Sequence, residues 1–116
     1  MSDLKTKTTA FQIGGTEYRL LFDLNAIDEI QDLLDVPISN LPDVLNDKQK
    51  SAKAVKQVLA ILINEAIDAG QCGEQKVTPK SLGRELGYAD IFRGGAAIME
   101  AMFATFPKDE NADPNQ

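Results

Sequence analysis

Between Ala54 and Ala69 the chain reads AVKQVLAILINEAIDA, a longer apolar run than any other in the sequence. Val55, Val58, Leu59, Leu62 and Ala66 recur at spacings of three and four and so share one helical face, while Ile61, Ile63 and Ile67 carry apolar surface to its flanks. A helix apolar over so wide an arc has to be covered by the rest of the chain. Each aliphatic side chain taken out of water contributes roughly 1.5–3 kcal/mol, so this element can supply much of what offsets the chain entropy of a small domain. Asn64, Glu65 and Asp68 interrupt the run, which is also too short to span a bilayer. The sequence therefore predicts one core assembled around a central helix.

The 116 residues leave room for a single core, and the 43% apolar share fits a folded soluble domain. The expected organisation is a flexible leader at 1–9, a single globular domain at 10–106 and a disordered tail at 107–116. One cysteine, Cys72, excludes an internal disulfide. No charged start leads into an apolar signal segment, so the chain is expected in the cytoplasm with no membrane association. A net charge of −6 argues against broad nucleic-acid binding, because phosphate contacts need a basic surface. The charge is also unevenly spread. From Asp23 to Asp47 stand seven acids and no lysine or arginine, and Lys48, Lys50, Lys53 and Lys56 follow directly. An acidic block beside a basic block suggests electrostatic docking, within the chain or between copies.

Along the chain, Phe11 and Ile13 alternate with polar residues, Gly14-Gly15 offers a two-residue turn, and Tyr18, Leu20 and Phe22 continue the alternation on a return strand. Such a hairpin is marginal alone in water, so its apolar face must lie on other elements; its open edges offer pairing to a second subunit. A first helix is expected from Leu24 to Leu34, capped by Asp23 or Asn25. Its apolar stripe is Leu24, Ile27, Ile30 and Leu34, with Asp28, Asp32 and Asp35 opposite. Pro37 closes it, one helical turn bearing Leu41, Val44 and Leu45 follows, and Asn46-Asp47 break the chain before the central helix starts near Ser51. After a turn-rich loop from Gly70, Thr78-Pro79 reads as the N-cap and first position of a short helix, with Gly87 as its left-handed cap. Asp90 is expected to cap a last helix with Ile91, Ile98, Met102 and Phe106 on its apolar face and Gly94-Gly95 allowing close backbone approach. The fold class is a mainly helical α+β domain: an N-terminal β-hairpin followed by about four to five helices around one central apolar helix.

Chemistry-bearing motifs are sparse. With no histidine and one cysteine, the usual nucleophile–base pairs and soft-metal sites cannot be assembled, and no catalytic residue, metal or cofactor is expected. Asp28 and Asp32 have the spacing of a carboxylate pair, but a solvated helix face accounts for it. Asp23-x-Asn25-x-x-Asp28 lacks the glycine and the glutamate of a calcium loop. Thr78 to Phe106 has the layout of a helix-turn-helix, yet its second helix offers Arg93 as the only base against Asp90 and Glu100. On the central helix, Lys53 and Lys56 sit at the N-terminal end and Glu65 and Asp68 at the C-terminal end, the reverse of what the macrodipole favours. Charges placed against local preference invite a tertiary or intermolecular explanation.

From Phe11 to Ile30 the chain reads FQIGGTEYRLLFDLNAIDEI. A glycine turn, an aromatic and leucine return strand, and Phe-Asp-Leu-Asn-Ala-Ile opening an acidic helix resemble the small tail assembly chaperones of long-tailed bacteriophages and prophages. The apolar helix around Leu59 to Ala66, the Thr-Pro start and the final helix are similar in layout. The resemblance implies a non-enzymatic protein of the bacterial host cytoplasm. Such a protein solubilises the long apolar tape-measure protein until tail-tube subunits replace it, and self-associates into homo-oligomers. A structural tail-tube or tail-completion subunit is the alternative reading, and a helix-turn-helix DNA-binding protein the third. The residues themselves nominate Met102 and Phe103 for the client, and Lys53, Lys56, Asp28 and Asp32 for self-association.

Overall fold

A computed structural model of the chain describes residues 8–105. It is a mainly helical α+β domain, an antiparallel hairpin followed by five α-helices. Strands β1 (Thr8–Ile13) and β2 (Thr16–Leu21) pair with Phe11 opposite Tyr18 and Ile13 opposite Thr16. That register leaves Gly14-Gly15 as the two-residue turn. Gly14 takes φ 59° and Gly15 stays outside the left-handed region, the pattern of a type II′ turn, whose twist matches that of the strands. The strand begins inside the expected leader, because Thr9 continues the inward series of Phe11 and Ile13 and is itself buried. The Arg19 guanidinium holds this end by donating to the Thr8 hydroxyl at 3.0 Å and the Thr8 carbonyl at 3.3 Å. The rest of the expected leader, Phe106 and the expected tail lie outside the described residues.

Helix α1 (Leu24–Leu34) starts where Asp23 caps it, the carboxylate accepting the Ala26 N–H at 2.9 Å, and stops where Asp35 turns left-handed. Its buried face is Ala26 and Ile30, with Ile27 and Leu34 half-buried. Leu24 does not join that stripe and is 75% exposed: two positions before Ala26, it points almost oppositely on a helix of 3.6 residues per turn. Asp28, Asp32 and Asp35 are exposed. A 3₁₀ turn (Ile38–Asn40) leads into α2 (Leu41–Asn46), which buries Leu41 and Leu45. Asp47 then accepts the N–H groups of Gln49 and Lys50 and turns the chain into α3.

Helix α3 (Ser51–Asp68) packs against β2, α1, α2, α4 and α5. Ile63 is buried as completely as Val55, Val58, Leu59 and Leu62, while Ile61 and Ile67 form the half-buried flanks. The helix ends in a Schellman motif: Gly70 takes φ 77°, and the N–H groups of Gly70 and Gln71 reach back to the carbonyls of Ile67 and Ala66. Asn64 interrupts the apolar run for a reason outside the helix. Its amide donates to the Val77 carbonyl at 2.7 Å and accepts the Val77 N–H at 2.8 Å, so one side chain pins the returning loop.

That loop delivers Thr78 as N-cap of α4 (Pro79–Glu85), in a capping box with Ser81. Gly87 does not form the expected left-handed cap. The chain leaves α4 extended at Leu86, and the Gly87 N–H donates to Asp90 at 2.8 Å, the reach-back that an acid supplies in the first turn of the following helix. Asp90 thus acts from inside α5 (Asp90–Thr105). Among the described residues, no helix is long and apolar enough to cross a membrane.

Candidate functional site

The last helix turns its small residues inward. Gly94, Ala97, Ile98 and Ala101 are its buried positions, with Ile91 and Met102 half-buried beside them. A Cβ on Gly94 would lie 2.7 Å from Val55 Cγ1 and 3.1 Å from Leu59 Cδ1, so α5 seats on α3 at a distance that only glycine allows. The larger residues then fall outside. Phe92 is 79% exposed, Phe103 51%, and Tyr88, one turn before Phe92, 80%; Ala96 is exposed between them and Met99 half-buried.

This stripe borders a groove of ≈ 640 Å³ between α2 and α5, lined by Pro42, Leu45, Tyr88, Phe92, Ala96 and Met99, with Lys48 at its rim. Water-facing aromatic surface concentrated in one place marks an interaction site more often than scattered exposed leucines do. One border of the stripe is fixed electrostatically. Arg93 lies 4.4 Å from the centre of the Phe11 ring and donates to Asp90 at 3.3 Å. The Gly87 N–H, and then Arg93, hold the Asp90 carboxyl below its ordinary range.

The residues nominated from sequence fall in three places. Phe103 stands on the outer stripe, whereas Met102 packs against the core. Asp32 and Lys53 line adjoining grooves on the α1/α3 face, one with Glu29, Leu33 and Ile61, the other with Leu33, Val44 and Lys50, and Gln57 lines both. Lys56 instead lies over α4, its terminal atoms 3.4 Å from the place of a Cβ on Gly83. Asp28 is exposed on α1. Among the described residues the ion pairs are Arg19–Glu17, Lys76–Asp68 and Arg93–Asp90, and none joins Lys53 or Lys56 to α1.

The acids at the end of α3 find their explanation within the chain. Asp68 is met by Lys76 at 2.7 Å. Glu65 accepts the Asn25 amide at 3.1 Å at the start of α1, where a helix N-terminus favours negative charge. Burial, and next the Asp23 carboxyl beside it, nevertheless push the Glu65 pKa up. A carboxyl with a raised folded pKa contributes stability below its unfolded value and loses it as pH rises through the folded one. Glu65→Gln is therefore expected to raise the denaturation midpoint at neutral pH, with the gain vanishing below the ordinary value of 4.5. Melts at pH 7 and pH 4 test this, and an equal shift at both would contradict it.

Among the described residues no three histidine, cysteine or carboxylate side chains converge on a metal position. Compared with known proteins, the chain matches no family model, no curated protein and no solved structure.

Proposed function

We propose that the chain is a binding module of phage tail morphogenesis, a tail assembly chaperone of the host cytoplasm that keeps the apolar tape-measure protein soluble and self-associates while doing so. One observation carries the reading: the outer stripe of exposed Phe92, Ala96 and Phe103 with half-buried Met99 among them, beside the α2/α5 groove. An amphipathic client helix laid along α5 covers these side chains with its own apolar face. Methionine at the centre of the stripe adapts to irregular partners, and the aromatic rings offer large contact area at little entropic cost. The opening FQIGGTEYRLLFDLNAIDEI supports the same reading through its resemblance to that family. Lys53, Lys56, Asp28 and Asp32 stay with electrostatic self-association.

Co-expression with an apolar tape-measure fragment tests the proposal. The wild-type chain is expected to hold the fragment in the soluble fraction, and Phe92→Glu, a change at an exposed position, to lose most of that effect while folding normally by circular dichroism. Equal solubilisation by the two proteins would remove the stripe from the site. A fragment insoluble in both would count against the chaperone reading as a whole.

A further inference from the structure

The spacing along the outer face of α5 carries more than general stickiness. Phe92, Ala96, Met99 and Phe103 follow one another at four, three and four residues, the four–three alternation of a seven-residue repeat that keeps a seam facing a second helix along its length. The rows beside the seam differ. One holds Gly95 and Met102; the other holds Arg93 and Glu100, seven residues apart and both exposed.

We infer that, without a client, this seam is covered by the α5 of a second copy of the chain in an antiparallel, twofold-symmetric pair. Antiparallel packing sets Phe92 against Phe103 of the second copy and Ala96 against Met99, so each of the two central layers pairs a small residue with a larger one between outer layers of stacked phenylalanines. Like rows then face each other across the twofold axis, and Arg93 of each copy meets Glu100 of the other, two opposite-charge pairs from one sequence feature. Parallel packing has neither property. It stacks Phe92 on Phe92 and Ala96 on Ala96, and it sets Arg93 and Glu100 against the row of Gly95 and Met102.

The seam spans two heptads at most, so the contact falls in the small, transient class, below about 1,200 Å². A weak pair of this kind protects the aromatic stripe and yields to a better partner. That last consequence, client displacing copy, rests on the client-binding reading above; the pair itself does not. It is also separate from the charged α1/α3 face, since neither Lys53 nor Asp32 borders the seam.

Sedimentation equilibrium of the full chain alone, across the micromolar range, tests the pair. The wild-type chain is expected to show a reversible monomer–dimer equilibrium. Glu100→Arg sets like charges together twice and is expected to weaken it by roughly tenfold or more, and adding Arg93→Glu is expected to restore it. Because Arg93 also lies over Phe11, Ala96→Glu at the exposed centre of the seam serves as a second variant and is expected to give monomer. A wild-type monomer at every concentration, a dimer indifferent to Glu100→Arg and Ala96→Glu, or a folded double variant that stays monomeric would overturn the inference. No client is present in these measurements, so their failure leaves the client-binding reading standing, and a dimer that ignores the tape-measure fragment would sink that reading alone.

Discussion

Shortening Leu59 to alanine is expected to cost about 2–5 kcal/mol, a large part of the 5–15 kcal/mol typical of a domain's whole stability. Leu59 is fully buried on α3 and touches the place where α5 crosses it at Gly94. The cavity cannot close easily, because its other walls belong to a helix held on several sides by different elements. The loss also reaches the outer face, since the seat of α5 determines which of its residues face water. Urea unfolding followed by far-UV circular dichroism measures the effect. A midpoint within error of the wild-type value would show that α3 is not the element on which the core depends.

Asn64→Ala is expected to destabilise the domain by about 1–3 kcal/mol, the cost of leaving half-buried backbone groups unpaired. The Asn64 amide serves both the N–H and the carbonyl of Val77, and the next residue is the cap from which α4 starts. Local consequences should exceed the global one: the Val77 amide loses exchange protection and α4 loosens before the core melts. Asn64→Asp is expected to be worse than alanine, since it keeps the acceptor but sets a second oxygen against the Val77 carbonyl. Amide exchange read residue by residue decides this. Unchanged protection at Val77 would show that the loop is held by something other than Asn64.

Much of this architecture is legible in the chain because local rules and tertiary packing agree. The central helix, the Gly14-Gly15 turn, the limits of α1 and the Thr78-Pro79 start each rest on a pattern that neighbouring elements reinforce. The phase of α1 is harder. Leu24 fits an apolar stripe as well as Ala26 does by hydrophobicity, and only the packing on α3 selects Ala26 and Ile30. Gly87 misleads for a similar reason, since Asp90 captures its N–H before any left-handed cap forms.

The outer stripe of α5 is only partly legible in the sequence. Ile91, Ile98 and Met102 make a plausible inner face, but Phe92, Met99 and Phe103 make an equally regular one on the other side. What decides between them is the run of small residues. Gly94, Ala97 and Ala101 contribute little to hydrophobicity, yet they let α5 approach Val55 and Leu59 closely. Close approach outweighs side-chain size here, so the bulkiest residues are left outside. Phe103 is a candidate from sequence alone, while Tyr88, Phe92 and Met99 become candidates once the inner face is known. The acidic half of the charge inversion on α3 finds its partners outside the helix, Lys76 for Asp68 and Asn25 for Glu65.

The central claim is that the outer face of α5 and its groove with α2 hold an apolar helical client. Hydrogen exchange of the full chain, alone and with a soluble helical fragment of a tape-measure protein, tests it most directly. The account predicts added protection along α5 and α2, centred on the turns bearing Phe92, Ala96 and Met99, with the hairpin unchanged. Absence of binding, or protection confined to the hairpin edge or the acidic face of α1, would contradict it.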